Sequence, residues 1–255
     1  MSDNIILESQ ELRKEFGGLV AVNNVSVKIR QGAFHSIIGP NGAGKTTLFN
    51  LLSRTLDPTS GHVLFKGRDI TRIPIQKIAH LGMGRSFQIT NIFPNLTAFE
   101  NVRLACQAMG RDNFRLWNRS GEFGAYESRA RQVIEQVGLG ERAAQIARTL
   151  PHGDQRKLEL GMILAQDPEV LLLDEPTAGM AGEQVPEFIA LIQRVQKENS
   201  KTIVLVEHNM SVVMNASQTI TVMHQGATLA EGTPGEIAAN KTVQSAYLGG
   251  MEVVQ

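Results

Sequence analysis

The stretch that most constrains this chain is "GPNGAGKTT", Gly39 to Thr47. Before it stands "AFHSII" (Ala33 to Ile38), which reads as a strand. After it comes "KTTLFNLLSRTL", where Leu48, Leu51, Leu52 and Leu56 recur at helical spacing. Strand, glycine-rich loop and helix in this order, with the pattern G-x-x-x-x-G-K-S/T, make a cradle for phosphate. The glycines let backbone N–H groups curl round phosphate oxygens, and the helix N-terminus adds a favourable field. Lys45 reaches the β- and γ-phosphates as a point charge, and Thr46 offers a hydroxyl to Mg²⁺. Gly39, Pro40, Asn41, Gly42, Ala43, Gly44, Lys45, Thr46 and Thr47 are therefore expected to hold the phosphates of a nucleotide.

A second element fits beside the first. "EVLLLDEP" (Glu169 to Pro176) is a buried strand that ends in two acids. Asp174 is placed to hold the water shell of magnesium, and Glu175 to take a proton from an attacking water or to orient it. Three single residues carry weaker signals. Gln88 in "GRSFQIT" is a candidate for touching both magnesium and the attacking water, against an ordinary surface glutamine. His208 in "LVEHN" ends a strand and is a candidate γ-phosphate donor, against a structural histidine. Phe16 is placed to stack on adenine, against a core phenylalanine.

The rest of the chain alternates strands and helices, as an α/β sheet does. "VSVKIR" alternates apolar and polar residues, and "GHVLFKGRDI" reads as a hairpin turning at Lys66-Gly67. From about Thr97 to Leu150 the pattern is helical, with a polar, glycine-containing interruption near Asn118 to Gly124. "TIVLVEH" and the hairpin "TITVMHQGATLAEG" follow, and "TPGE" (Thr233 to Glu236) is a capping box with proline in the first turn. "LPHGDQRKLELGMIL" (Leu150 to Leu164) is mostly helix, but its start is odd. Proline suits a first helical turn, whereas His152, Gly153 and Asp154 bury little, so this helix end is expected to face something other than its own core.

Composition narrows the function classes. Lysine plus arginine and aspartate plus glutamate each number 25, which argues against a nucleic-acid stripe or a polybasic membrane anchor. A single cysteine, Cys106, excludes an intrachain disulfide and fits a reducing cytoplasm. The start "MSDN" does not read as a signal peptide, and no apolar run approaches the ~20 residues of a membrane span. Contact with a membrane is therefore expected to go through another protein.

Taken together, these elements resemble the ATP-binding subunit of an ABC transporter, in the right order over nearly the whole chain. The resemblance implies an α/β fold: a P-loop NTPase (RecA-like) core with an N-terminal antiparallel β-subdomain and an inserted α-helical subdomain. The domain would span 5–250, with the helical insertion at about 91–160. The resemblance assigns Phe16 and Val22 to the nucleotide, Gln88 to the junction between core and helical parts, and His208 to the switch histidine. "LPHGDQ" takes the place of the family's Leu-Ser-Gly-Gly-Gln signature, whose helix end points at the γ-phosphate on the P-loop of the opposite subunit. His152, Gly153 and Asp154 would thus complete the site of a partner. The sequence departs from the family at Pro151 (serine), His152 (glycine), Asp154 (glutamine) and Ala181 (an aspartate that crosses the dimer interface).

A finer resemblance goes to the branched-chain amino-acid importers, carried by "FGGLVAV", "SFQITNIFPNLTAFENV", "HGDQRKLELG", "DEPTAGM" and "AEGTPGEIAANKTVQSAYLG". "LPHG" and "GMILAQDP" are similar to urea and short-amide importers too. ATP and Mg²⁺ are then the implied cofactors. The implied partners are transmembrane permease subunits, a second ATP-binding subunit of the same or a related chain and, indirectly, an extracytoplasmic solute-binding protein; nucleic acid is not among them. The place would be cytoplasmic, on the inner face of the membrane through the permease. A P-loop GTPase should carry Asn-Lys-x-Asp, and "NKTV" (Asn240 to Val243) lacks the aspartate. A kinase would need neither "LPHGDQ" nor His208. A soluble ABC ATPase of DNA repair would carry a long coiled coil, and a ribosomal one two ATPase halves. A binding module without hydrolysis is opposed by Glu175 and His208.

Overall fold

A computed structural model describes residues 4–86, 92–110 and 120–248. In chain order the strands and helices are β1 (Ile5–Phe16), β2 (Leu19–Arg30), β3 (Phe34–Ile38), α1 (Lys45–Leu52), β4 (Ser60–Phe65), β5 (Arg68–Asp69), α2 (Ile75–Ile78), β6 (Met83–Arg85), α3 (Ala98–Ala108), α4 (Ser120–Gln136) and α5 (His152–Ala165). They continue with β7 (Val170–Asp174), α6 (Val185–Glu198), β8 (Thr202–Val206), α7 (Met210–Ala216), β9 (Thr219–His224), β10 (Ala227–Gly232), α8 (Pro234–Ala239) and α9 (Lys241–Leu248).

Two sheets carry the molecule. One is antiparallel, in the order β2-β1-β4-β5; the other has six strands in the order β10-β9-β3-β8-β7-β6. In the larger sheet β3 is parallel to β8 and β9, β7 is parallel to β6 and β8, and β10 closes the edge antiparallel. Strands β3, β7 and β8 are buried at every residue, which explains why their sequences run apolar rather than alternating: both faces are covered. Leu171, Leu173, Ile203 and Leu205 face a core shared with α3 to α6. Val170, Leu172, Val204 and Val206 face the core under the antiparallel sheet and α1. His35 and Ser36 are the polar exceptions on β3, and Ser36 Oγ lies 2.6 Å from Ser217 Oγ. His35 is the titratable one. Its Nε2 lies 2.8 Å from Thr221 Oγ1, whose own proton goes to Glu231, so the imidazole donates and stays neutral. Burial pushes its pKa down to about 4.

Local details follow the sequence in most places. The β4–β5 hairpin turns at Lys66-Gly67, both with positive φ, as a tight two-residue turn needs. Thr233 and Glu236 close a capping box with Pro234 in the first turn of α8. Three expectations need correction. Helix α1 stops at Leu52 instead of reaching Leu56, because Arg54 adopts φ 60° and turns the chain. Helix α4 already begins at Ser120, so the expected interruption does not extend to Gly124. Beyond Gln136 the helical pattern ends in the left-handed Gly138 (φ 74°) and two short 3-10 turns, Gly140–Arg142 and Ala147–Thr149.

Helix α5 crosses β6 at Gly84, where a Cβ would stand 2.5 Å from Ile163 Cγ2 and 3.0 Å from Pro168 Cγ. Gly84→Ala is therefore expected to lower stability by about 1–3 kcal/mol through overpacking. It should shift the urea midpoint down at unchanged slope. An unchanged midpoint would show that α5 does not press on this strand.

Candidate nucleotide-binding and catalytic site

Strand register brings the site together. Ile37 pairs with Val206, and Val206 with Asp174, so β3, β8 and β7 end level with one another. The chain leaves β3 into Gly39–Thr47, β7 into Glu175 and β8 into Glu207-His208. In an open parallel sheet, the crevice outside the carboxyl ends of the strands is where ligands bind.

The loop after β3 is pressed from two sides. A Cβ on Gly39 would meet the Met223 carbonyl oxygen at 2.2 Å, and one on Gly44 (φ 95°) would meet the Ala21 carbonyl oxygen at 2.4 Å. Only glycine fits at either place. Lys45 Nζ donates to the Gly39 and Pro40 carbonyls at 2.8 and 2.9 Å. The ammonium is thereby folded back across the loop it serves. Burial lowers its pKa, while the nearby charges of Glu175 and Asp174 oppose that. Thr46 is exposed and Thr47 half-buried. A cavity of about 450 Å³ opens over the loop, lined by Leu19, Val20, Ala21, Gly42 to Thr47, Gln225 and Gly226. Pro40 and Asn41 line an adjoining cavity of about 530 Å³ under α9.

Asp174 is 2% exposed, and among the described residues neither carboxyl oxygen has a hydrogen-bond partner. Its backbone N–H goes to Ser86 Oγ at 3.0 Å. Burial pushes its pKa up to about 6; Arg85 opposes the rise, and Glu175 and Glu207 add to it. A buried carboxylate left without donors is costly. With the exposed Thr46 hydroxyl, it is a donor set of hard oxygens that fits Mg²⁺. Glu175 follows with φ 47°, a left-handed turn rare outside glycine, fixed by its N–H to the Val206 carbonyl at 2.9 Å. That turn brings its Oε2 to 3.2 Å from His208 Nε2.

The other expected residues fall into three groups. Phe16 is 48% exposed and pairs with Leu19 at the tip of the β1–β2 hairpin, beside the cavity mouth; it is not a core residue. Lys14 Nζ lies 5.2 Å from the ring centroid. Val22 is a correction: it is fully buried in the core, and its strand neighbours Val20 and Ala21 line the cavity instead. Gln88 lies outside the described residues, as do Asn118 and Arg119 at the start of the expected polar interruption.

The start of α5 is not bare, contrary to expectation. Gly153 is buried, and a Cβ there would meet Gln184 Oε1 at 2.7 Å. His152 is exposed and its ring borders Gly179. Asp154 pairs with Arg142 at 3.2 Å and Lys157 at 3.7 Å. An acid in the first turn also suits the helix dipole. Arg85, Ser86, Thr177 and Glu207 were not singled out by sequence. Arg85 donates to Ser53 and Asn50, each at 2.5 Å, bracing α1 against β6 beside Asp174. The one signal was position: a charged residue directly after an apolar strand that leads into the site, as Glu207 is.

The geometry defines a P-loop site, with two acids and a histidine beside the loop at the level ends of β3, β7 and β8. The chain belongs to the ABC transporter family: the family model of that description matches residues 22–178, and a model described as branched-chain amino acid ATP-binding cassette transporter matches residues 227–253. It is 41% identical over 249 residues to the high-affinity branched-chain amino acid transport ATP-binding protein LivG of Salmonella typhimurium, covering 96% of this chain and 98% of that protein. It is 42% identical to the corresponding BraF of Pseudomonas aeruginosa, with the same coverage. Among solved structures it is similar to an ATP-binding cassette of an ABC transporter in its ADP conformation, with TM-score 0.83, 26% identity and coverage of 96% and 99%. A dimeric cassette bound to ADP and Pi in a post-hydrolysis state superposes with TM-score 0.77 at 26% identity, covering 90% and 99%.

The raised pKa of Asp174 has a stability consequence of definite sign. The folded chain binds this proton more tightly than the unfolded chain, so ionisation above about pH 6 destabilises the fold. Without nucleotide, Asp174→Asn is expected to melt higher than wild type at pH 7.5. The gap should close as pH falls through 6 towards 4. His35 acts in the opposite sense, losing stability as pH falls towards 4, but both proteins carry it and the difference cancels it. Equal melting temperatures at pH 7.5 would contradict the assignment.

Proposed function

We propose that this chain is the ATP-hydrolysing subunit of an ABC importer, and that the importer takes up branched-chain amino acids. The observation that carries the reading is the convergence of Lys45, Asp174, Glu175 and His208 at the level ends of β3, β7 and β8, with Glu175 and His208 3.2 Å apart. The substrate class rests on the identity to LivG and BraF and on the match at 227–253. We assign 5–250 to one ATP-binding domain with a helical insertion at about 91–160.

The chain's residues divide the chemistry. Backbone N–H groups of the loop and Lys45 hold the β- and γ-phosphates, and Phe16 covers the adenine at the hairpin tip. Asp174, Thr46 and Gln88 are the residues that would hold Mg²⁺, which neutralises phosphate charge when bound. Glu175 takes the proton of the attacking water as the water oxygen bonds to the γ-phosphorus and the bond to the ADP oxygen breaks. His208 orients both Glu175 and the γ-phosphate. The start of α5, through His152 and Gly153, contributes to the site of a second ATP-binding subunit. Asp154 is occupied by Arg142 and Lys157, and its charge would repel phosphate. Among the described residues no helix is long and apolar enough to cross a membrane. We place the chain on the inner face of the membrane, held there by its permease subunits.

Glu175→Gln is expected to bind ATP but release phosphate at least a hundredfold more slowly, because a general base contributes roughly 10²–10⁴ in rate. In vesicles holding the chain with its permease and binding protein, uptake of labelled leucine should stop in the same variant. Wild-type phosphate release by the variant would mean that another residue activates the water.

A further inference from the structure

Glu207 is 2% exposed, yet it directly follows β8, a strand buried at every residue. A carboxylate so placed needs donors. It has three. Oε1 accepts from the Thr177 backbone N–H at 3.2 Å and from Thr177 Oγ1 at 2.6 Å, and Oε2 accepts from the His208 backbone N–H at 3.2 Å. Thr177 stands two residues beyond Glu175. One side chain therefore bridges the turn that carries Glu175 and the turn that carries His208. The bridge uses both oxygens, so an amide, with one acceptor oxygen, cannot reproduce it. The site keeps this carboxylate although it lies close enough to Asp174 for the two like charges to oppose each other.

We propose that Glu207 is a positioning residue for hydrolysis, locking the Glu175 turn to the His208 turn so that the two side chains meet the attacking water and the γ-phosphate as one unit. The proposal rests on the roles given above to Glu175 and His208. Both Glu207 oxygens are taken up by Thr177 and the His208 N–H, so it acts through the loops it holds. Lys45 and the loop after β3 take no part in the bridge, so the hold of that loop on the phosphates does not depend on it.

The test is steady-state phosphate release by the full chain with its transporter, alongside equilibrium ATP binding. Glu207→Gln is expected to lower kcat tenfold or more, with KM and Kd for ATP within about twofold of wild type. Glu207→Gln combined with Glu175→Gln should lower kcat by less than the product of the two single effects, because part of the bridge acts through Glu175. Should Glu207→Gln fail to fold, Thr177→Val decides, since it removes the hydroxyl donor at nearly constant volume. It is expected to lower kcat threefold or more at unchanged KM. Turnover within twofold of wild type in the folded variant, or loss of affinity in step with turnover, overturns the proposal. Glu175→Gln separates the two readings. If it is inactive while Glu207→Gln turns over normally, the positioning role alone fails; if Glu175→Gln itself turns over normally, the reading of the site fails first.

Discussion

The carboxylate of Asp174 is the constraint around which the site is arranged. It sits at the end of a strand whose other residues are all buried and apolar, and its oxygens are met by no donor among the described residues. Nearby charges only partly compensate, with Arg85 favouring its ionised form and Glu175 and Glu207 opposing it. A fold keeps such a group at a cost of about 1–3 kcal/mol or more. A cation arriving with a phosphate ligand would relieve that cost, and the neighbouring Lys45 and Thr46 belong to the loop that would deliver it. Binding energy and hidden electrostatic stress thus meet in one place, at the level ends of β3, β7 and β8.

The loop after Asp174 is tethered on two sides. On one, Glu207 holds Thr177 to the end of β8. On the other, Arg156 of α5 donates to the Ala178 carbonyl at 3.2 Å while it pairs with Glu159 at 2.9 Å, both side chains being buried. Breaking either partner of such a buried pair is far more damaging than its net stabilising worth suggests. The start of α5 and the Glu175 turn are consequently parts of one connected body. A change at the start of α5 therefore has a covalent and hydrogen-bonded route to the Glu175 turn.

Much of this was legible in the sequence where chemistry is local. The loop after β3, the acids after "LLL", the Lys66-Gly67 turn and the Thr233–Glu236 capping box are each set by short-range rules, and each stands where those rules put it. What failed depended on long-range contacts. Val22 sits in an alternating strand, and its periodicity does not say which face closes on the core. Gly153 and Asp154 read as a bare helix end because Gln184 and Arg142, which cover or pair with them, lie elsewhere in the chain. Glu207 carried no motif signal, since its role follows from Thr177, 30 residues away in sequence.

The most direct test of the central claim is a calorimetric titration of the chain with ATP, in Mg²⁺ and in a chelator, compared with the same pair of titrations on Asp174→Asn. If the donorless carboxylate is kept for the cation that accompanies the nucleotide, Mg²⁺ should tighten ATP binding to the wild-type chain by about tenfold or more, roughly 1.4 kcal/mol. It should tighten binding to Asp174→Asn much less. The same Mg²⁺ dependence in both proteins would contradict the account.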